Sequence, residues 1–487
     1  MVGSTVNRLM LKIGRNTVNN IYITEESLKT RLLNLQCHFT WDLHVEDLGI
    51  DYKDTRLDDQ MEYVINAPKH RMYNLRAYLR YLRGDYDEAM DQLQKAEEQI
   101  QDSDPDADIK RIVMYGNYAW LLYHQKDFIK SSTYAKKVEA IKQNYELAPE
   151  NHKLLIDIYS EQGWAYLLFG KNYYEKAAKS FLNGLEFDKR HPELNSGYGT
   201  ARYRIASLNY PQTEFSETND ALENAVKYNP EDAGVKTLLA LQYQNQKQYL
   251  AQAAVERIEE ALEQGQESPY ILRYAATFYR KENKTEEAIK LLEKAITLTP
   301  TYASIYHQLG MCYKGLATTE AIGRAIFYLK RAVELKHMFP AAYVTLGEMY
   351  VWKKKYPEAE EAFHTAEGMT EEITDAVKQE LHLIWGQYEW GHRRSEQEAI
   401  NHFKIAILIK KATKNRKRAI KHLKSIAKDL IGRDSADATG YGLRGFIYQQ
   451  EGQEKMAIED YKKALQLQPN NEEYAKAISS VEGTLRE

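Results

Sequence analysis

Two cysteines, Cys37 and Cys312, are all that a chain of 487 residues contains. Two thiols cannot build a disulfide framework, and neither has a second cysteine near enough for a zinc knuckle. Also lacking is any run of the roughly 18 apolar residues that a membrane-spanning helix needs. The N-terminus carries only a short apolar patch, Leu9 to Ile13, with no cleavage signature behind it. These absences lead us to expect a reducing compartment, most simply the cytoplasm. Catalytic signatures are missing as well: there is no HExxH, no P-loop and no paired CxxC, and the 13 histidines are scattered without ligand spacing. The one GxGxxG, at Gly440, Gly442 and Gly445, would need a preceding strand and a βαβ unit to hold a dinucleotide. Here Gly445 falls on a helical repeat instead. The sequon Asn283-Lys-Thr285 is idle without a secretory signal. Neither an enzyme nor a metal or cofactor site is expected. The net charge of −4 excludes a globally basic chain, so any contact with nucleic acid needs a local concentration of positive charge.

What is present is 43% hydrophobic and 28% charged residues, enough for a substantial core, arranged with a repeat. Its most regular copy is Tyr270 to Pro300, in which Ala288, Leu292, Ala295 and Pro300 follow an aromatic first helix. Leu309-Gly310, Tyr313, Ala325, Leu329 and Ala332 form the next copy, and Leu346-Gly347, Tyr350, Ala359, Phe363 and Ala366 the one after. Ala325 to Ala359 is 34 positions, the period of a tetratricopeptide repeat. A late copy runs Gly445, Tyr448, Gly452, Ala457, Tyr461, Ala464, Pro469. Weaker ones are Ala77, Gly84, Ala89, Leu93, Ala96 and Trp164, Ala165, Ala177, Phe181, Gly184. Two antiparallel helices approach closely only where one presents Gly or Ala and the other fills the gap with a ring or Leu. Such pairs cannot bury their apolar faces singly, so they stack. The pattern predicts an all-α superhelical solenoid. Longer intervals near Thr318 and between Ala399 and Ala457 predict inserted or non-repeat helices that break it into sub-blocks. We expect an N-terminal extension over 1–20, sub-blocks over 21–150 and 151–335, and a C-terminal block over 336–487. In that last block, residues 392–433 carry 13 Lys or Arg against 3 Asp or Glu, suiting a functional basic surface, a solvated face or an import signal.

Several polar stripes share one helix face by their i, i+3, i+4, i+7 spacing. Tyr270, Arg273, Tyr274, Thr277 and Lys281 form one, with Arg280 beside it; Glu193, Gly197, Thr200 and Arg204 form a second. Trp164, Leu167 and Lys171 form a third, and Arg56 with Gln60 a polar pair. Arg and Tyr together on a concave wall suit phosphates and stacked bases, or else pack on the neighbouring helix. By composition alone Trp164 reads as a core ring.

The stretch CHFTW, Cys37 to Trp41, resembles the N-terminal signature of the interferon-induced proteins with tetratricopeptide repeats. GNYAW at Gly116 to Trp120, GWAYL at Gly163 to Leu167, LRYAATFYR at Leu272 to Arg280 and HQLGMCYK at His307 to Lys314 belong to the same pattern. So do AIFYLKRAVE at Ala325 to Glu334 and GFIYQQEG at Gly445 to Gly452. The similarity runs in order from about residue 20 to the C-terminus. It implies an innate antiviral effector that binds the 5′ end of foreign single-stranded RNA in a positively charged central groove or tunnel. That end would be a triphosphate or a cap lacking ribose 2′-O-methylation, and translation would be blocked. The resemblance places Arg204 and Tyr174 at the triphosphate and Arg56 and Gln60 at the 5′ end. It makes Trp164 the ring that stacks on the cap base, with Leu167, Glu193 and Thr200 in the cap-side pocket. Tyr270, Arg273, Tyr274, Arg280, His307 and Gln308 would line the RNA path, with Lys336 and Phe339 as further contacts. Association with other family members or with itself is implied too. Two positions depart from the pattern: Leu168 stands where the family usually has a phosphate-pocket lysine, and Thr200 where relatives carry a larger aliphatic residue. Lys171, one turn beyond Leu168, is a candidate replacement cation. Without the resemblance, the fold alone would equally suit a scaffold whose concave wall takes peptides.

Overall fold

The computed structural model describes residues 24–44, 68–146, 152–209, 215–246, 251–265, 267–369 and 373–484. Among these residues the chain forms 23 α-helices and no strand, in two compact units, Met1–Phe278 and Tyr279–Glu487. The first unit holds α1 (Glu25–Leu33), α2 (Lys69–Leu82), α3 (Tyr86–Glu98), α4 (Ala107–His124), α5 (Phe128–Glu146) and α6 (Lys153–Phe169). It continues through α7 (Tyr174–Leu185), α8 (Pro192–Asn209), α9 (Phe215–Tyr228), α10 (Ala233–Asn245), α11 (Ala251–Gln264) and α12 (Pro269–Lys281). The unit boundary falls inside the last turn of α12. In the second unit follow α13 (Thr285–Leu298), α14 (Ala303–Leu316), α15 (Thr319–Leu335), α16 (Pro340–Trp352), α17 (Tyr356–Gly368) and α18 (Asp375–Tyr388). The chain ends with α19 (Glu396–Leu408), α20 (Lys414–Arg433), α21 (Ala438–Gln450), α22 (Glu454–Leu467) and α23 (Glu472–Thr484).

Consecutive helices pack as antiparallel pairs, and the turn inside a pair recurs with one geometry. An amide reaches back five residues, from Asp85 to the Arg80 carbonyl (3.0 Å) and from Asp127 to Leu122 (2.9 Å). The same closure links Lys284 to Tyr279, Lys355 to Tyr350 and Gln453 to Tyr448, at 2.8–2.9 Å. The residue before each of those amides is left-handed: Gly84 (φ 83°), Lys126 (64°), Asn283 (60°), Lys354 (61°) and Gly452 (73°). This is the Schellman closure, which satisfies the last carbonyls of the first helix. Near Thr318 no added helix appears; α15 is simply long, at 17 residues, and opens at Thr318, whose hydroxyl accepts from the Ala321 amide. Between Ala399 and Ala457 the extra length is α20, a 20-residue helix inserted between two pairs.

Close approach is bought with glycine at a few places. In the first unit Phe181 is fully buried and lies against Gly163 on one side and Gly197 on the other; an added Cβ would fall 2.6 Å and 2.3 Å from its ring. Gly310 faces Leu329, Gly347 faces Phe363, and Gly386 faces Phe403 in the same way. The two N-terminal motifs interlock by the same rule. A Cβ on Gly116 would sit 2.7 Å from Cys37, the His38 amide donates to Asn117 Oδ1 (3.2 Å), and Asn117 Nδ2 meets His38 Nδ1 (3.1 Å). Burial pushes the His38 imidazole down to about 3, so it is neutral there. Tyr78 and Tyr166 tie this N-terminal segment to later helices, donating to the carbonyls of Leu43 (2.8 Å) and Trp41 (2.9 Å).

Gly197→Ala should therefore destabilise the first unit by about 1–3 kcal/mol through overpacking, read as a lowered denaturant midpoint. Phe181→Leu in the same chain should recover part of that loss, because it removes the ring edge the new methyl strikes.

Candidate functional site

Three groups of the expected residues are brought together, two in the first unit and one in the second. Arg56 and Gln60 lie outside the described residues.

The first group gathers on α8 and α12. The Arg273 guanidinium carbon sits 4.0 Å from the Tyr274 ring centroid and 6.0 Å from that of Tyr270. That of Arg204 is 5.9 Å from Tyr274, and the Tyr270 and Tyr274 rings are 4.6 Å apart. Tyr274, and then Tyr270, Tyr174 and Tyr203, hold Arg204 charged against the opposing effect of burial. Burial acts to raise the Tyr274 phenol, yet the charges and hydrogen bonds of Arg204 and Arg273 keep it below its ordinary value. Burial drives Tyr270 well above its own. A phenol donates and accepts without a full charge at neutral pH, and among the described residues it is phenols that contribute most to holding the Arg204 charge. Each guanidinium is a planar fork of the kind that matches phosphate oxygens.

The second group joins α2, α6 and α8. Trp164 Nε1 donates to Glu193 Oε1 at 3.1 Å, and the Trp164 ring stands edge-to-face on Phe181 with centroids 5.4 Å apart. Leu167 is half-buried against the same core. Thr200 donates its hydroxyl to the Ser196 carbonyl at 2.8 Å, which leaves its methyl in place of a larger side chain. Leu168 is buried in the unit's core at 8% exposure, and Lys171 is exposed in the single turn between α6 and α7.

Glu193 belongs to a charge cluster that the sequence stripes did not include. Arg71 donates to Glu193, to Asp157 and to Ser160 (3.1 Å), and its Nε lies 3.9 Å from Glu161. Asn74 donates to Glu161 at 2.9 Å. Three carboxylates thus surround one guanidinium that is 8% exposed. Burial opposes the Arg71 charge, but Asp157, Glu193 and Glu161 hold it. The acids respond differently. Burial raises Asp157 and pushes Glu161 up to about 8. On Glu193 burial is outweighed by Arg71, with a Ser160 hydrogen bond adding, and its pKa is lowered. At neutral pH Glu161 is protonated, and the cluster keeps only the charge Arg71 can hold. A signal for it was present: Asp157, Glu161 and Trp164 fall at i, i+4, i+7, one face of α6. Arg71, from a different helix, carried no such mark, nor did Tyr203.

The third group lies in the second unit. His307 stands edge-to-face on Phe339 (4.9 Å), and Lys336 Nζ is 5.5 Å from the same ring. Burial pushes His307 down to about 4, with Arg280 and Lys314 adding, so the imidazole is neutral there. Gln308 follows it, half-buried. In the basic stretch, Lys414, Lys417, Arg418 and Lys421 form one exposed face of α20. Several other cations there are engaged: Lys424 with Glu451 (2.7 Å), Arg393 with Glu360 (2.9 Å) and Arg433 with Glu396 (3.5 Å). Among the described residues no group of His, Cys, Asp and Glu could hold a metal ion, and no helix is long and apolar enough to cross a membrane.

Known proteins give a consistent likeness. The tetratricopeptide repeat family model matches residues 438–471 and a second TPR repeat model residues 278–316. The chain is 32% identical to the human antiviral innate immune response effector IFIT1 over 464 residues, covering 91% of this chain and 96% of that protein. It is 31% identical to the mouse interferon-induced protein with tetratricopeptide repeats 2, covering 88% and 93%. Among solved structures, the human IFIT1 dimer with m7Gppp-AAAA matches with a TM-score of 0.79 at 33% identity, covering 90% of this chain and 99% of that one. The human IFIT1 dimer with PPP-AAAA matches with a TM-score of 0.76 at 32% identity, with the same coverage.

The raised pKa of Glu161 sets a sign for stability. Unfolded, the carboxyl ionises near 4.5; folded, it keeps its proton up to about 8. Between those values the folded state binds more protons, so its stability falls as pH rises. Glu161→Gln removes that dependence. Its stability advantage over the wild type should grow from pH 5 to pH 8, by up to about 1.4 kcal/mol per pH unit, measured by denaturant unfolding at each pH.

Proposed function

This chain belongs to the family of interferon-induced proteins with tetratricopeptide repeats, and on that premise we propose that it binds the 5′ end of foreign single-stranded RNA as an antiviral effector. The end would be a triphosphate or a cap lacking 2′-O-methylation, held in the cytoplasm so that the RNA is not translated. The observation that carries this proposal is the pair of guanidiniums, Arg204 and Arg273, set on the Tyr274 ring. Two permanently charged planar forks set on ring faces match the oxygens of a terminal phosphate chain. The Trp164 ring with the Glu193 carboxylate supports a base-holding position: one flat apolar face for stacking, worth roughly 1–3 kcal/mol, and one acceptor for a base N–H. Arg280, His307, Gln308, Lys336 and Phe339 would contact the RNA further along. The solved relatives, dimers of human IFIT1 with m7Gppp-AAAA and with PPP-AAAA, point the same way and suggest that this chain also self-associates.

Buried Leu168 bears on which 5′ end is preferred. With no lysine there, fewer cations face a triphosphate, and the balance would move toward the end that also offers a base to Trp164.

The test is a salt titration with one short RNA bearing a triphosphate, an unmethylated cap, a 2′-O-methylated cap or a 5′-hydroxyl. Preference for either of the first two is expected. The logarithm of affinity should fall against the logarithm of salt by about 0.7 per phosphate neutralised. Arg204→Ala and Arg273→Ala should each lose at least about tenfold. Equal weak binding to all four RNAs, or unchanged affinity in both variants, would defeat the proposal and favour a peptide-binding scaffold.

A further inference from the structure

Glu193 is where two donors from different helices converge. Trp164 Nε1 and Arg71 Nη1 both donate to its Oε1. A carboxylate has about four acceptor positions. Two are filled, both on Oε1, which fixes the carboxylate plane, and the side chain, 31% exposed, turns Oε2 to whatever approaches. The ring beside it is equally constrained, since Trp164 rests on Phe181 and Phe181 is clasped by Gly163 and Gly197. Arg71 reaches this pair from below. One guanidinium nitrogen holds Glu193, the other holds Asp157, and Nε faces Glu161, itself fixed by Asn74. At 8% exposure the guanidinium is too deeply covered to meet RNA itself.

We propose that Arg71 is a positioning residue that locks Glu193 against the Trp164 indole, and so decides how well the site discriminates a stacked 5′-terminal base with an N–H donor on its edge, as in a capping guanine, from an end that offers phosphates alone. Its fork is what the role requires. A lysine ammonium supplies the charge but has no rigid planar pair of donors to bridge Asp157 and Glu193 at once. This inference rests on the RNA-end proposal above and adds to it a residue that touches no RNA.

The experiment compares two full-length variants with the wild type. Arg71→Lys keeps the buried charge and loses the fork. A triple variant, Arg71→Met with Asp157→Asn and Glu161→Gln, removes the guanidinium together with two acids that would otherwise be left repelling, so that loss of the fold is avoided. Affinities are measured for a short RNA with an unmethylated cap and for the same RNA with a 5′-triphosphate, and thermal melting is recorded alongside. The capped-to-triphosphate affinity ratio should fall by about tenfold or more in both variants, while the triple variant melts close to the wild type. A ratio within about twofold of the wild type in either folded variant would overturn the inference. A wild type that binds neither RNA would overturn the RNA-end proposal and this inference with it, and that result appears before any variant is made. If Arg204→Ala loses both RNAs in the same assay, the RNA-end proposal stands whichever way the ratio moves.

Discussion

The placement of the first unit's polar groups depends on one aromatic ring being held between two missing side chains. Phe181 projects from α7 into the slots left by Gly163 on α6 and Gly197 on α8, so three helices are locked in register by a single contact. The functional candidates are read off from that register. Trp164 follows Gly163 directly, Glu193 precedes Gly197 by one turn, and Arg204 lies two turns beyond it on the same helix. A close-packed interior turns small shifts into clashes, and polar side chains mounted on such helices inherit that precision. The repeat's small-and-large alternation is thus more than a stacking device, because it sets where charges can be held.

Those charges are managed in two opposite ways. Around Arg71 the partners are acids, and the excess of acid is relieved by leaving Glu161 protonated and Asp157 raised. Around Arg204 the partners are phenols, which satisfy hydrogen bonds and offer ring faces without cancelling charge. The same residue type meets carboxylates in one place and phenols in the other. Desolvating a charge is costly unless something answers it; in the first cluster carboxylates answer it, and in the second, among the described residues, phenols do.

How much of this was legible beforehand follows the range of the interactions. The helical class, the helix pairing and the small-large slots at Gly310, Gly347 and Gly445 come from local periodicity, and the structure has them. The stripe Tyr270, Arg273, Tyr274 came from spacing on one helix, and those three residues do gather with Arg204 of another stripe. The longer interval at Thr318 was misjudged as an insertion, because a helix can lengthen by a turn without any change in the sequence pattern that marks its start. Arg71 was invisible for a different reason. Its partners lie 86 and 122 positions away, and no periodicity within a helix reports a salt bridge between helices. Glu193 was marked by its stripe and placed at the cap side by the family likeness, but its two donors show only in the coordinates.

That separation along the chain also has a temporal side. Paired helices can form as soon as both have been synthesised, because most of their contacts are with the next segment. Arg71 must wait 86 residues for Asp157 and 122 for Glu193. At about 5–20 residues per second, roughly 6–24 s of elongation separate the appearance of the guanidinium from that of its last acid. During that interval the nascent helix α2 carries a cation whose pocket does not yet exist. The Trp164–Glu193 corner is therefore completed only once α8 has emerged, later than the local pairs α2–α3 and α4–α5, while α9 to α12 of the same unit are still to follow.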